Sequence, residues 1–273
     1  MRFFECHIGK TRVAAVVFLV CPIWLMAQEP DAGGASVPPA PQITPATPPD
    51  REVSWRKLPG NLIEDQRALW LSPLKLKERR HWVPTAAVLA TAAGLVALDP
   101  IVARSFRYNS AFHTFNNTFG GTRMSLAILA APVSMYGAGL ILGDSKMKST
   151  ALLAGEAVAD SEILTTVLKG IDRRARPATI GHGGNFSDTW FEDHSGGWRP
   201  NGSFPSGHTI AAFSVATVIS RRYRNHKWVP YAAYGAAALI GFSRMTLSAH
   251  FASDVFVGGA LGYSISRFAV LRQ

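Results

Sequence analysis

The pattern of apolar and polar positions changes at Trp82. Beyond it, apolar segments rich in Ala, Leu, Val and Gly recur, with little of the strict alternation that marks half-buried strands. The pattern predicts an all-α fold, a six-helix bundle that is membrane-associated or membrane-embedded. The predicted helices cover residues 83–98, 123–142, 149–169, 206–223, 229–247 and 250–270.

Two of these helices bear on the membrane question. The one at 123–142 is about as long as a bilayer span requires, roughly 20 residues. The next carries Glu156, Asp160 and Glu162, which a lipid-facing surface would not tolerate, so this face must look inward or into water. The pattern is compatible with a spanning bundle and with a soluble one.

The residues before the bundle divide into three parts. Residues 1–27 place basic residues ahead of an apolar run, as in a signal peptide or an N-terminal anchor, and hold both cysteines. Residues 28–50 are a Pro-rich linker, and residues 51–82 form an amphipathic, basic lead-in to a domain at 83–273. If the first part is removed, disulfides and thiol chemistry are excluded.

The chain carries a formal net charge of +10, which suits nucleic acid, a membrane surface or an anionic small substrate. It has no RNA-recognition signature, basic zipper or Cys/His zinc pattern, so we expect no nucleic-acid partner and no metal centre. The positions of the charged residues in the chain decide among these partners.

Three short motifs carry the candidate chemistry. Each has an ordinary structural explanation alone: a lysine closing a helix, a Ser-Gly helix start, and a His–Asp surface pair. Together they read K-x6-R-P, P-S-G-H and S-R-x5-H-x3-D, in that order. Their residues are Lys169 and Arg176-Pro177, then Pro205-Ser206-Gly207-His208, then Ser243-Arg244, His250 and Asp254.

At every motif position this order resembles the type 2 phosphatidic acid phosphatase (PAP2) and vanadium haloperoxidase superfamily. The resemblance covers about residues 83–270, and Gly202-Ser203-Phe204 ahead of Pro205 is similar to bacterial exported acid phosphatases. It implies a PAP2-like bundle of the phosphatase branch. It also implies a two-step mechanism through a phosphohistidine, without metal or cofactor.

The residue types suit phosphoryl transfer. The transition state spreads negative charge over three equatorial oxygens, and Lys169, Arg176 and Arg244 supply three fixed cations in place of a metal. Arginine grips two oxygens and lysine acts as a point charge. The backbone N–H groups at Ser206 and Gly207 begin a helix, where an anion binds well.

Two histidines complete the expected site. His250 and Asp254 are four residues apart, so on one helical face the carboxylate would accept one ring N–H and leave the other nitrogen facing phosphorus. Pro205 suits the first turn of the neighbouring helix, which His208 begins, and we assign His208 as the general acid. The other histidines, His81, His113, His182, His194 and His226, are expected to be ordinary.

Two other functions use the same residues. A vanadate-dependent haloperoxidase would bind vanadate in the same cage with His250 as axial ligand. A non-catalytic phospholipid or polyphosphate binder would need the cations but neither His208 nor the pair of His250 and Asp254. The expected partners are therefore a membrane surface and a phosphorylated lipid or small phosphate ester. The residues do not choose between a lipid and a soluble ester.

The expected location is the cell envelope. If all six helices span, the basic turns fall on one side, which the positive-inside rule makes cytoplasmic, and the three motifs face outward. A signal peptide would instead start the first helix from outside. These two topology signals conflict, but both place the active site on the extracytoplasmic side.

Overall fold

The computed structural model describes residues 51, 53–72, 79–107, 109–181, 183–191 and 200–272. Residues 51–272 form one compact unit. The expected signal segment and linker, and the loop histidines His182 and His194, lie outside the described residues.

The described residues are helical and contain no strand, which confirms the all-α prediction. Short 3-10 turns lie at Ser110–Phe112 and Pro177–Thr179, and the last helix continues as a π-helical segment at Ile265–Val270. The α-helices are α1 (Leu58–Leu71), α2 (Arg79–Arg107), α3 (His113–Thr118), α4 (Gly121–Ile141), α5 (Ser145–Asp172), α6 (Gly207–Arg222), α7 (Trp228–Thr246) and α8 (Ala252–Ser264).

Helix α6 lies at the centre of the bundle and packs against α5, α7 and α8. Its approach to α8 depends on glycine. A Cβ atom at Gly262 would lie 2.3 Å from the carbonyl oxygen of Ile210, and one at Gly258 would lie 3.0 Å from that of Ser206. Any larger side chain would separate the two helices, so these glycines let the second half of α8 pack closely against the first turns of α6.

Several helix boundaries differ from the prediction, and two of them have a clear physical cause. Helix α2 continues past Pro100, where a helix was expected to end at residue 98. Val102, Ala103 and Phe106 are buried beyond the proline, and their packing keeps the backbone helical. Helix α5 begins earlier than residue 149, because the Asp144 side chain accepts the Met147 N–H at 3.0 Å and caps the helix.

Glu156 and Asp160 face inward, which decides between the two alternatives for the charged face of α5. Glu156 belongs to an ionic group with buried carboxylates, the α1 cluster, that ties α1 and both ends of the described chain to α5. Its members are Arg51, Asp65, Glu156 and Arg272, joined by Arg51–Asp65 at 2.8 Å, Arg51–Glu156 at 3.1 Å and Arg272–Asp65 at 2.6 Å. Glu162, by contrast, is exposed.

Two segments are long and apolar enough to cross a membrane: Trp82–Arg107 and Ser110–Ile141. They expose large apolar side chains, including Leu89, Ile101 and Val133. Exposed apolar faces of this length are typical of a membrane-associated bundle.

Candidate active site

The predicted site residues converge at one end of the bundle. The helix ends there are the last turn of α5, the first turn of α6, the last turn of α7 and the turn before α8. A Cβ atom at Gly207 would lie 4.0 Å from the Lys169 amino group, so the first and second motifs are in contact.

The loop after α5 is tied down by its backbone. Arg173 ends the helix in a left-handed conformation, with φ of 45°. Beyond it, Ala175 N–H donates to the Thr189 carbonyl at 2.7 Å, and Ser203 N–H donates to the Arg174 carbonyl at 2.7 Å. These bonds fix the stretch that carries Arg176 between two other parts of the loop.

His250 does not lie on the helical face that was predicted for it, because α8 begins two residues later, at Ala252. Its Nδ1 atom lies 2.6 Å from the carbonyl oxygen of Ser203. A carbonyl oxygen only accepts hydrogen bonds, so Nδ1 carries the proton and Nε2 keeps its lone pair. The expected orientation of the ring is present, but a backbone carbonyl supplies it.

Asp254 is the third residue of α8 and caps the helix that follows His250. Its Oδ2 atom accepts the Phe251 N–H at 2.8 Å and the Ser203 hydroxyl at 2.5 Å, and lies 3.6 Å from His250 Nδ1. The predicted direct hydrogen bond between Asp254 and His250 is therefore replaced by a long contact. Asp254 therefore fixes the turn before α8 and the side chain of Ser203, whose carbonyl in turn positions His250.

Two of the three expected cations are held by neutral oxygens. Arg176 donates to the carbonyls of Asn201 and Ala249, both at 3.3 Å. Arg244 is buried and donates to the Ser243 hydroxyl at 2.7 Å and to the carbonyl of Phe119. Within the described part of the chain, neither guanidinium has a carboxylate at ion-pair distance, so their positive charge is not neutralised.

Lys169, the third cation, is half-buried. Burial and the charge of Arg176 lower the pKa of Lys169 to about 8. Burial lowers the pKa of Arg244 to about 10. Lys169 and Arg244 are therefore mainly charged at neutral pH.

The serine of the second motif differs from its expected role. Ser206 N–H donates to the Asp254 carbonyl at 3.1 Å, and the Ser206 hydroxyl lies 2.8 Å from that of Thr209. Pro205 precedes this N-cap residue and does not occupy the first helical turn. The first-turn N–H groups available to an anion are then those of Gly207 and His208, which precede the helical hydrogen-bond ladder.

His208 is anchored to α4. Its Nε2 atom lies 2.8 Å from the Ser125 hydroxyl and 3.1 Å from the Gly121 carbonyl. Burial and then the charge of Arg244 lower the pKa of His208 below its ordinary 6.5, while the Gly121 carbonyl raises it.

The pKa of His250 is lowered further than that of His208. Burial lowers the pKa of His250 to about 4, Asp254 opposes the shift, and the charges of Lys169 and Arg176 add to it. The ring is therefore neutral at pH 7, as a nucleophile must be. His113 and His226, expected to be ordinary, are exposed.

Residues 150–273 match the family model described as the PAP2 superfamily. These residues form a PAP2 domain. They contain all three motifs, so the family resemblance of the sequence is confirmed.

The relatives of the PAP2 domain include several phosphatases. The chain is 37% identical over 108 residues to a lipid A 1-phosphatase of Rhizobium etli, covering 38% of this chain and 42% of that protein. It is 42% identical over 69 residues to a lipid A 1-phosphatase of Porphyromonas gingivalis, covering 23% and 16%. The match thus spans less than half the length of either relative.

A solved structure is also similar. It is the crystal structure of a transmembrane PAP2-type phosphatidylglycerolphosphate phosphatase from Bacillus subtilis, with 21% sequence identity and a TM-score of 0.39. The match covers 78% of this chain and 92% of that one.

Several residues that shape the PAP2 site were not found from the sequence. Ser203, Gly121 and Phe119 contribute mainly backbone carbonyls, which no motif encodes. Arg174 was visible in the run Arg173-Arg174-Ala175-Arg176, but the run gives no reason to assign its arginines to different partners. Among the described residues, no group of three or more His, Cys, Asp or Glu could hold a metal ion.

Proposed function

We propose that the chain is a phosphatase that transfers the phosphoryl group of a lipid phosphate to His250 and then to water. The observation that supports this most is the contrast of charges around one ring. A neutral histidine, anchored through Nδ1, lies near the positive charges of Lys169 and Arg176, and Arg244 places a third cation beside His208. Such a site suits an incoming phosphate and leaves a nucleophilic lone pair beside it.

In the first step, the Nε2 lone pair of His250 attacks phosphorus and the bond to the leaving oxygen breaks. Lys169, Arg176 and Arg244 stabilise the charge on the equatorial oxygens. His208 gives its proton to the leaving oxygen. Its lowered pKa favours this transfer, and the phosphate dianion raises the protonated fraction when it binds.

In the second step, water attacks the phosphohistidine. His208, now neutral, takes a proton from the water as the new P–O bond forms. The P–N bond breaks, its electron pair returns to Nε2, and inorganic phosphate leaves. No step requires a metal or a cofactor, because the three cations and one acid–base pair account for all charge and proton transfers.

We propose a lipid substrate, with lipid A phosphates foremost, and an extracytoplasmic site. The support is twofold: relatives of the domain are named lipid A 1-phosphatases, and α2 and α4 expose long apolar faces that suit a bilayer.

The test is a substrate panel on purified, detergent-solubilised protein: lipid A, phosphatidate, phosphatidylglycerophosphate, an isoprenyl pyrophosphate and soluble monoesters, each with chelator present. We expect release of phosphate, fastest from a lipid. Rapid quenching into base, which preserves the P–N bond, should trap labelled phosphoprotein in the wild type and none in His250→Ala. Full activity of His250→Ala would remove it as nucleophile, and halide oxidation with vanadate in place of ester hydrolysis would favour a haloperoxidase.

A further inference from the structure

Behind the nucleophile lies a buried arginine whose environment differs from that of the phosphate-facing cations. Arg174 is 2% exposed, and its two terminal nitrogens reach two different carboxylates. Nη1 lies 2.5 Å from Asp254 Oδ1, and Nη2 lies 2.7 Å from Asp99 Oδ2. Unlike Arg176 and Arg244, Arg174 has its charge fully matched and cannot serve as a phosphate ligand.

Asp99 comes from α2, ahead of the PAP2 domain, and also holds the first turn of α8. Its Oδ2 atom accepts the Ser253 hydroxyl at 2.5 Å, and Oδ1 accepts the Ser253 N–H at 3.1 Å. The Ser253 hydroxyl in turn accepts a hydrogen bond from Arg174 Nη1 at 2.8 Å. Asp99, Arg174 and Ser253 therefore form one buried unit.

The guanidinium of Arg174 packs against two aromatic rings. Its central carbon lies 4.3 Å from the centre of the Trp190 ring and 4.0 Å from that of Phe251. Thr189 accepts the remaining Nε–H at 3.2 Å. A lysine at this position could carry the charge, but its single ammonium could not bridge two carboxylates and stack on the aromatic rings as a planar guanidinium does.

Asp254 and Ser203 connect the unit of Asp99, Arg174 and Ser253 to the nucleophile His250. Asp254, held by Arg174, accepts the Ser203 hydroxyl, and the Ser203 carbonyl accepts the Nδ1–H of His250. We propose that Asp99 and Arg174 are positioning residues: they fix Asp254 and Ser203, and so aim Nε2 of His250 at phosphorus. This inference rests on the proposed function of His250 as nucleophile.

The test compares Arg174→Lys and Asp99→Asn with two matched exposed controls, Arg104→Lys and Asp188→Asn. A displacement of the reacting atom by about 1 Å costs on the order of 100-fold in rate. We expect kcat to fall about 100-fold in Arg174→Lys and about tenfold in Asp99→Asn, with KM within about threefold of wild type because the phosphate-binding cations are untouched. Both controls should keep wild-type kcat.

The rate must be measured per folded molecule, because both variants disturb a buried charge. The readout is the rate constant of phosphoenzyme formation in a single turnover, which does not depend on the fraction of active protein. Ser253→Ala is the milder variant, and we expect a several-fold slower step. The double variant Asp99→Asn/Arg174→Lys should lose little more than Arg174→Lys alone, because both residues act through Asp254.

The outcomes distinguish the positioning role of Arg174 from the proposed role of His250 as nucleophile. If the single-turnover rate constants of Arg174→Lys and Ser253→Ala equal that of wild type, the positioning role is overturned while the function of His250 stands. An increase in KM without a change in kcat would also overturn it, in favour of a phosphate-binding role. If His250→Ala keeps wild-type turnover, the proposed function fails and this inference fails with it.

Discussion

Two groups of largely buried charged side chains lie along helix α5, roughly 20 Å apart for a rise of about 1.5 Å per residue. In the α1 cluster near Glu156, both arginines are paired with carboxylates. At the active site near Lys169, Arg176 and Arg244 are held by carbonyls and hydroxyls. Arginine thus has a structural role where its partner is a carboxylate. Where its partners are neutral oxygens, its charge remains able to bind an anion.

The largest expected effect comes from removing an arginine charge at the active site. Replacing Arg244 by Met removes a cation that balances developing charge, so kcat/KM should fall by about 10²- to 10³-fold. Inorganic phosphate should also raise the thermal unfolding midpoint of the variant less than that of wild type, because bound anion stabilises only the folded site.

The control for this change is Arg123→Met, at the exposed start of α4. Its kcat/KM should stay within about twofold of wild type. Unaltered kcat/KM in Arg244→Met would contradict the charge assignment.

The α1 cluster should respond in the opposite way. Arg51→Met leaves Asp65 and Glu156 buried without this partner, and breaking a buried pair costs about 3 kcal/mol. We expect a lower unfolding midpoint, with kcat of the folded protein unchanged. Arg67→Met, exposed on the same helix α1, is the matched control, and it should leave the midpoint in place.

Within the active site, substrates with different leaving groups distinguish the role of His208 from the role of the cations. An alkyl phosphate needs its leaving oxygen protonated, so His208→Ala should slow phosphoenzyme formation by about 10²-fold or more. An activated aryl phosphate needs little protonation and should lose far less. An equal loss on both substrates would assign His208 to phosphate binding instead.

The smallest expected effect is on pH dependence. The pKa of His250 is lowered to about 4, so kcat/KM should decline below that pH as the nucleophile gains a proton. The pKa of His208 lies below 6.5, so its acid form is lost as pH rises through that value, and Lys169 loses its charge above about pH 8. The profile should be bell-shaped with an acidic optimum. A flat profile between pH 4 and pH 8 would contradict both assignments.

The sequence predicted the helices and the chemical groups better than the contacts between them. Lys169, Arg176, Arg244, His208 and His250 were all named from motif spacing, since spacing records which side chains are needed. It could not show that His250 precedes α8, because the helix boundary depends on the Asp254 side chain accepting the Phe251 N–H.

The contacts that the sequence could not reveal join distant segments. Asp99 and Arg174 are 75 residues apart, and no local pattern marks either as the partner of the other. The carbonyl that orients His250 belongs to Ser203, whose side chain gives no hint of it. Residues that act through their backbone are recognised only once the fold is known.

The position of Asp99 ahead of residue 150 has a consequence for how the fold can diversify. The half of the chain with the three motifs is not portable by itself, because Asp99 behind Arg174 and the Phe119 carbonyl beside Arg244 both come from the other half. An exchange of the N-terminal helices that brought no acid to position 99 would keep every motif, yet leave Arg174 without one of its two carboxylates. The two halves are therefore expected to change together where these contacts join them.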